Sequence, residues 1–180
     1  MRKHNGMRPQ DVAILLKICA LGEQSWQLAG LAASLRVSIS EVSESLNRSQ
    51  FAGLIDFTKK RVNRQNLFDF LSYGFRYVFP VQPGTLVRGI PTAHSHPFMK
   101  TQFATEMDYV WPDVKANVIG LQIQPLYPKQ VEAVIEDEKY YTLLAIADVL
   151  RVGKVREVKY ALEEFKKYIL HEPTYQYRPD

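Results

Sequence analysis

A single cysteine, Cys19, stands in 180 residues, so no internal disulfide can staple this chain. It lies within the apolar run VAILLKICAL, where a thiol serves as a small core residue rather than a nucleophile, and the pattern fits a reducing compartment. A fold without cross-links rests on its core, and a chain of this length with 46% hydrophobic residues can bury one. Long apolar runs are missing as well. None has the layout of a signal peptide or the length of a membrane span, and the expectation is a cytoplasmic protein that does not enter the membrane. Catalytic signatures are lacking too: no GxGxxG, P-loop, GxSxG, CxxC or HExxH occurs. The expectation is a protein without catalytic activity and without a cofactor. Of only four histidines, His94 and His96 form an HxH pair that would point to one side of an extended segment. No third ligand stands nearby, so a polar loop is expected there and no metal.

Charge is present in excess and unevenly placed. The formal net charge is +4, with ten Lys/Arg against five Asp/Glu in residues 1–66 and 13 against 14 in residues 67–180. That asymmetry favours a nucleic-acid-facing N-terminal part. Within it, Pro9 can open a first helix whose apolar content is Val12, Leu15, Leu16, Cys19 and Leu21. Ser25 can cap a short helix from Trp26 to Ser34, in which small residues, Gly30 among them, would let another helix approach closely. A tight connection, Leu35 to Ser38, follows. Ser38 with Glu41 three residues later is a capping-box pair, and it opens a second helix from Ile39 to Phe51 with Ile39, Val42, Leu46 and Phe51 as core candidates.

Helix, turn and capped helix followed by FTKKRVNR is the outline of a winged helix-turn-helix, with one helix for the major groove and a basic ribbon for phosphates. The candidate DNA contacts are Ser38, Ser40, Ser43, Glu44, Asn47 and Arg48 on the helix, and Lys59, Lys60, Arg61 and Arg64 on the ribbon. Hydroxyls and the amide can bond phosphates or base edges, Arg48 can reach a phosphate or a guanine, and Glu44 can accept from cytosine. Leu54 to Phe57 alternates like a strand, but neither Gly nor Pro marks a tight hairpin, so a short or irregular wing is expected.

Residues 65–77 then read as one dense aromatic helix that should pack back onto the N-terminal helices and could supply a subunit interface. The prolines and glycines of residues 80–111 indicate an irregular connection. Asn117 to Gln124 could form one short strand, Lys129 to Glu136 and Asp137 to Leu150 two helices, and Val155, Val158, Leu162, Phe165 and Ile169 the apolar stripe of a last one. Met1 to Met7 reads as a loose basic arm and Thr174 to Asp180 as a polar tail.

Trp26 to Arg64 resembles the DNA-binding half of MarR-like and related prokaryotic winged-helix regulators. That resemblance implies a reader helix at Ser38 to Phe51 and a wing at Phe57 to Arg64. QPLYP with YYTLLAIADVLRVGKVREVKYAL is similar to the C-terminal part of small prokaryotic winged-helix proteins, some linked to nucleotidyltransferase or abortive-infection toxin systems. The shared pattern rests on Pro125, Leu126, Tyr127, Leu144, Asp148, Leu150, Arg151, Gly153, Arg156 and Glu157. Typical MarR-like proteins carry long helical dimerisation arms, from which this chain departs between Pro80 and Pro128. Asp148, Arg151, Arg156 and Glu157 admit two accounts: ion pairs linking the helices around Gly153, or a surface for a partner protein.

The expected architecture is mainly α: a winged helix-turn-helix domain at residues 8–79, a proline-containing connection at 80–111, and a helical accessory or dimerisation region at 112–170. The expected function is sequence-specific binding of double-stranded DNA by a homodimeric transcriptional regulator. The alternative is a protein-interaction or antitoxin-like component of a defence or toxin-antitoxin system.

Overall fold

A computed structural model describes residues 6–170. The basic arm lies largely, and the polar tail wholly, outside the described residues. The chain is mainly helical, with one small sheet. Five helices come first: α1 (Pro9–Leu21), α2 (Leu28–Leu35), α3 (Ile39–Phe51), α4 (Arg64–Tyr73) and α5 (Phe75–Val78). After β1 (Leu86–Pro91), a 3-10 turn at Ala93–Ser95 and the short α6 (Pro97–Lys100) precede β2 (Tyr109–Pro112) and β3 (Val118–Gln122). Then come α7 (Gln130–Val134), α8 (Glu138–Val152) and α9 (Val155–Phe165), the last running into a π-helical turn at Lys166–Leu170.

α1 and α8 form the axis of the molecule. Every residue from Asp11 to Cys19 is buried, as is every residue from Thr142 to Arg151. A helix that is buried on all sides cannot show a clean amphipathic stripe, and it must lie inside a larger core. These two helices pack on each other, and the buried side chains of the N-terminal and C-terminal parts form one contiguous cluster. Cys19 belongs to it; burial pushes its thiol up to about 11, which keeps it protonated and inert.

Residues 80–111, expected as an irregular connection, instead hold two of the three strands. β1 runs antiparallel to β2, with Ile90 opposite Trp111, and antiparallel to β3, with Arg88 opposite Ile119. β2 and β3 pair in parallel, so the three strands close on one another. Two positions in this closure are glycines, Gly89 in β1 and Gly120 in β3; with Arg88 and Gly89 at its centre, β1 shows no alternating apolar pattern. The HxH pair also differs from expectation. It sits in and after the 3-10 turn, where His94 Nε2 lies 3.0 Å from the Met107 carbonyl and His96 stacks edge-on against Tyr141. Burial lowers the His96 imidazole to about 4, so it is neutral near pH 7.

Several local expectations shift. The N-cap of α2 is Gln27, not Ser25, and no side chain caps it. Gly30 is exposed with open space beside it, so close helix approach is not its role. The aromatic helix breaks at Gly74 into α4 and α5; Phe70, Phe75 and Phe79 stack edge to face at 6.1–6.3 Å while Tyr73 and Tyr77 face outward. α9 turns Glu157, Ala161, Glu164 and Phe165 inward and leaves Val155 exposed. No described helix is long and apolar enough to cross a membrane.

Candidate nucleic-acid interface

α2 and α3 are joined by residues 36–38, and Arg36 takes the left-handed conformation (φ 59°) that turns the chain between them. Ser38 then caps α3: its hydroxyl accepts from the Glu41 amide at 3.1 Å and donates to the Glu41 carboxylate at 2.7 Å, while its own amide donates to that carboxylate at 2.9 Å. These bonds hold the Glu41 carboxyl below its ordinary range. The Ser38 hydroxyl is spent on the cap.

The buried face of α3 is Val42, Ser45, Leu46 and Ser49, at spacings of three, one and three. Two of the four are serines whose hydroxyls have no hydrogen-bond partner among the described residues. Their small size lets α3 lie against α1. Because serines take inward positions, two residues expected in the core are turned out: Ile39 is half exposed and Phe51 is 78% exposed. The outer face therefore carries Ser40, Glu44, Asn47 and Phe51 at spacings of four, three and four, with Ser43 beside them. The sequence pattern did contain this signal, had serine been allowed an inward place.

Arg48 has a different task from the one expected. Its guanidinium binds Asp11 with two near-parallel bonds, Nε to Oδ2 at 2.8 Å and Nη2 to Oδ1 at 2.7 Å. Asp11 is fully buried in the first turn of α1, where it also accepts from the Arg8 amide. A bidentate pair on a buried carboxylate fixes α3 onto α1 and leaves no fork for a guanine. Replacing Arg48 with alanine is expected to cost about 3 kcal/mol of stability, because the Asp11 charge would stay buried without a partner. Urea unfolding of Arg48→Ala, Asp11→Ala and the double variant measures it; strict additivity of the two single costs would contradict the pairing.

The ribbon after α3 is short. Ile55 and Val62 form an isolated antiparallel bridge, and no longer strand follows the expected alternation from Leu54 to Phe57. Asp56 organises the tip between them: its carboxylate accepts from the Lys60 and Arg61 amides at 3.0 and 3.1 Å and from the Thr58 hydroxyl at 2.6 Å. Desolvation alone would raise the Asp56 carboxyl, but these bonds outweigh it and hold it below its ordinary range. With Asp56 shaping the turn, Lys59 adopts φ 58° without being glycine, which is how a tight tip forms with neither Gly nor Pro.

The ribbon's cations divide. Lys59 Nζ donates to Asn47 Oδ1, tying the tip to the outer face of α3. Lys60 Nζ donates to the Trp26 carbonyl at 3.1 Å and sits 4.2 Å above the indole ring centre. Arg61 is exposed. Arg64 is not part of the ribbon surface: it is the first residue of α4, half-buried, with Nη1 on the Ile169 carbonyl at 2.9 Å.

The second group of candidates falls mostly inside the molecule. Asp148 and Arg151 are buried and paired at 2.9 Å. Glu157 is buried and its carboxylate accepts from the Lys154 amide at 2.8 Å, capping α9. Only Arg156 of the four is exposed, so these residues do not make up a partner surface, nor do they cross-link α8 to α9 by ion pairs. Glu157 is held by a bond three residues away, whereas the Asp148 carboxylate and the Arg151 guanidinium also bond groups 27 to 72 positions away in sequence.

No protein-family model, curated protein or solved structure matches this chain.

Proposed function

We propose that the chain is a sequence-reading, double-stranded DNA-binding regulator of winged helix-turn-helix type, related in design to MarR-like proteins, working as a homodimer on two half-sites. The observation that carries this reading is the juxtaposition of an exposed polar helix face with a basic ribbon tip that is tied to it through Lys59 and Asn47. A helix capped at its start, packed on one side through small serines and offering Ser40, Ser43, Glu44, Asn47 and an apolar Phe51 on the other, presents base-reading chemistry. Amide and hydroxyl groups address base edges, and an exposed ring can meet a thymine methyl. Lys59, Lys60 and Arg61 are suited to phosphate, which gives affinity without sequence information. The interaction-module alternative draws no support from Asp148, Arg151 and Glu157, which are buried.

Replacing Lys59, Lys60 and Arg61 together with glutamine is expected to weaken binding to all duplexes alike. If each cation neutralises one phosphate, the slope of log K against log salt flattens by about 2.7. Asn47→Ala is expected to act differently, reducing the preference for the native site over a scrambled duplex by about 1–3 kcal/mol while leaving the salt slope nearly intact. Fluorescence anisotropy with the chain's own upstream DNA, at about 50 and 200 mM salt, reads both. Equal affinity for native and scrambled duplexes at the higher salt, in the unaltered protein, would rule the regulator reading out.

A further inference from the structure

A cleft of about 690 Å³ opens between the connection from α1 to α2 and residues 60–64. Its size falls within the usual range for small-molecule sites. Three of its lining residues are cationic, Lys60, Arg61 and Arg64, and a half-buried indole, Trp26, stands among them. One carboxylate, Glu23, one hydroxyl, Ser25, and two amides, Gln24 and Gln27, complete the polar part of the lining.

Each of these groups asks for a different part of one ligand. The indole offers an aromatic face, at present covered by the Lys60 ammonium. The Lys60 side chain of that cation–π pair is exposed, which keeps the pair weak, and a stacked heterocycle can displace it, leaving Lys60 to join the arginines around an anion. Two guanidiniums and an ammonium suit a phosphate rather than a neutral ring. A lone carboxylate among them suits a vicinal diol, whose hydroxyls donate to it.

We propose that this cleft binds a nucleoside monophosphate, with the base on Trp26, the phosphate on Lys60, Arg61 and Arg64, and the sugar hydroxyls on Glu23. The site shares Lys60 and Arg61 with the proposed DNA surface, and because the test below contains no DNA, its failure is distinguishable from failure of that reading.

Intrinsic fluorescence is the direct measurement, since the only other tryptophan, Trp111, is fully buried with its indole nitrogen bonded to Asp148. Titrating the full chain with adenosine monophosphate should quench Trp26 emission along a saturating curve. Adenosine, which has the ring without the charge, and ribose 5-phosphate, which has the charge without the ring, should each bind at least about tenfold more weakly. Lys60→Gln with Arg61→Gln, both at exposed positions, should raise the half-saturation concentration about tenfold or more. In Trp26→Phe the remaining emission should not respond. Quenching that never saturates, equal quenching by adenosine alone, or an undiminished response in Trp26→Phe would each overturn the proposal.

Discussion

Replacing Asp148 with alanine is expected to destabilise the protein by about 3–5 kcal/mol, the cost of stripping one partner from a buried ion pair. Asp148 is 1% exposed in the middle of α8. Its Oδ2 accepts from the Thr92 hydroxyl at 2.8 Å and from the Trp111 indole at 2.6 Å, and its Oδ1 accepts from Arg151 Nη1 at 2.9 Å. Arg151 passes the link on, with Nε on the Phe79 carbonyl at 3.1 Å and Nη1 on the Gln124 carbonyl at 3.2 Å. One carboxylate therefore joins α8 to the end of β1, to β2, to the end of α5 and to the segment after β3. Alanine would leave two neutral donors and a guanidinium without it in the interior, and no water reaches them cheaply. Urea unfolding monitored by circular dichroism measures the cost; a loss below about 1 kcal/mol would show that the network contributes no more than an ordinary hydrogen bond.

The same residue gives a pH dependence of definite sign. Burial raises the Asp148 carboxyl above its ordinary 3.8, against the opposing pull of Arg151 and of the Thr92, Trp111 and Arg151 hydrogen bonds. A carboxyl with a raised folded value prefers to be protonated in the folded state. Its titration thus contributes stability that is fully present below 3.8 and is lost as pH rises through the folded value. Asp148→Asn abolishes that titration. The stability of the wild type minus that of Asp148→Asn should therefore fall as pH rises from about 3.8 towards neutrality, and a difference that grows with pH would contradict the desolvated site.

How much of this was legible in the sequence follows the range of the forces involved. The start of α1 at Pro9, the bounds of α3 from Ile39 to Phe51 and the cap at Ser38 were all readable, because a proline at the first turn and a Ser-x-x-Glu box act within four residues. α8 was readable to within two residues from its apolar content and Gly153. Arg48 was misread because its partner Asp11 lies 37 positions away. Asp148 was seen as a charge near Gly153, while Thr92 and Trp111 lie 56 and 37 positions away. β1 and β2 escaped for a related reason. They are six and four residues long, they sit among prolines, and their pairing is fixed by partners that no local window contains. At the candidate interface, Ser40, Ser43, Glu44 and Asn47 were correctly turned to solvent, but the inward pairing of Arg48 with Asp11, the outward Phe51 and the inward Ser45 and Ser49 departed from the usual rule of side-chain polarity.

Gly89→Ala is expected to be the most damaging small substitution in the sheet, costing about 3 kcal/mol or more. A Cβ at position 89 would lie 2.0 Å from the Trp111 carbonyl oxygen and 2.8 Å from Val110 Cβ, and one at Gly120 would lie 2.5 Å from the Asp108 carbonyl oxygen. Neither glycine has a positive φ, so conformational freedom is not the reason for them. The reason is space: three strands that close on one another bring backbone against backbone, and a methyl group fits only if β1 and β2 separate. Separation would break the pairing of Ile90 with Trp111 and pull the indole from Asp148, so the damage should spread to the buried network rather than stay in the sheet. Two other glycines provide the contrast. At Gly84 the nearest atom is 3.5 Å away, an ordinary contact, and alanine there should change stability by no more than about 0.5 kcal/mol. At Gly30, exposed in α2 with nothing within 4 Å, alanine should stabilise by about 0.5–1 kcal/mol through helix propensity. Thermal unfolding of the three single variants tests the set, and a melting temperature for Gly89→Ala equal to that of Gly84→Ala would mean that the strands do not close as tightly as this geometry requires.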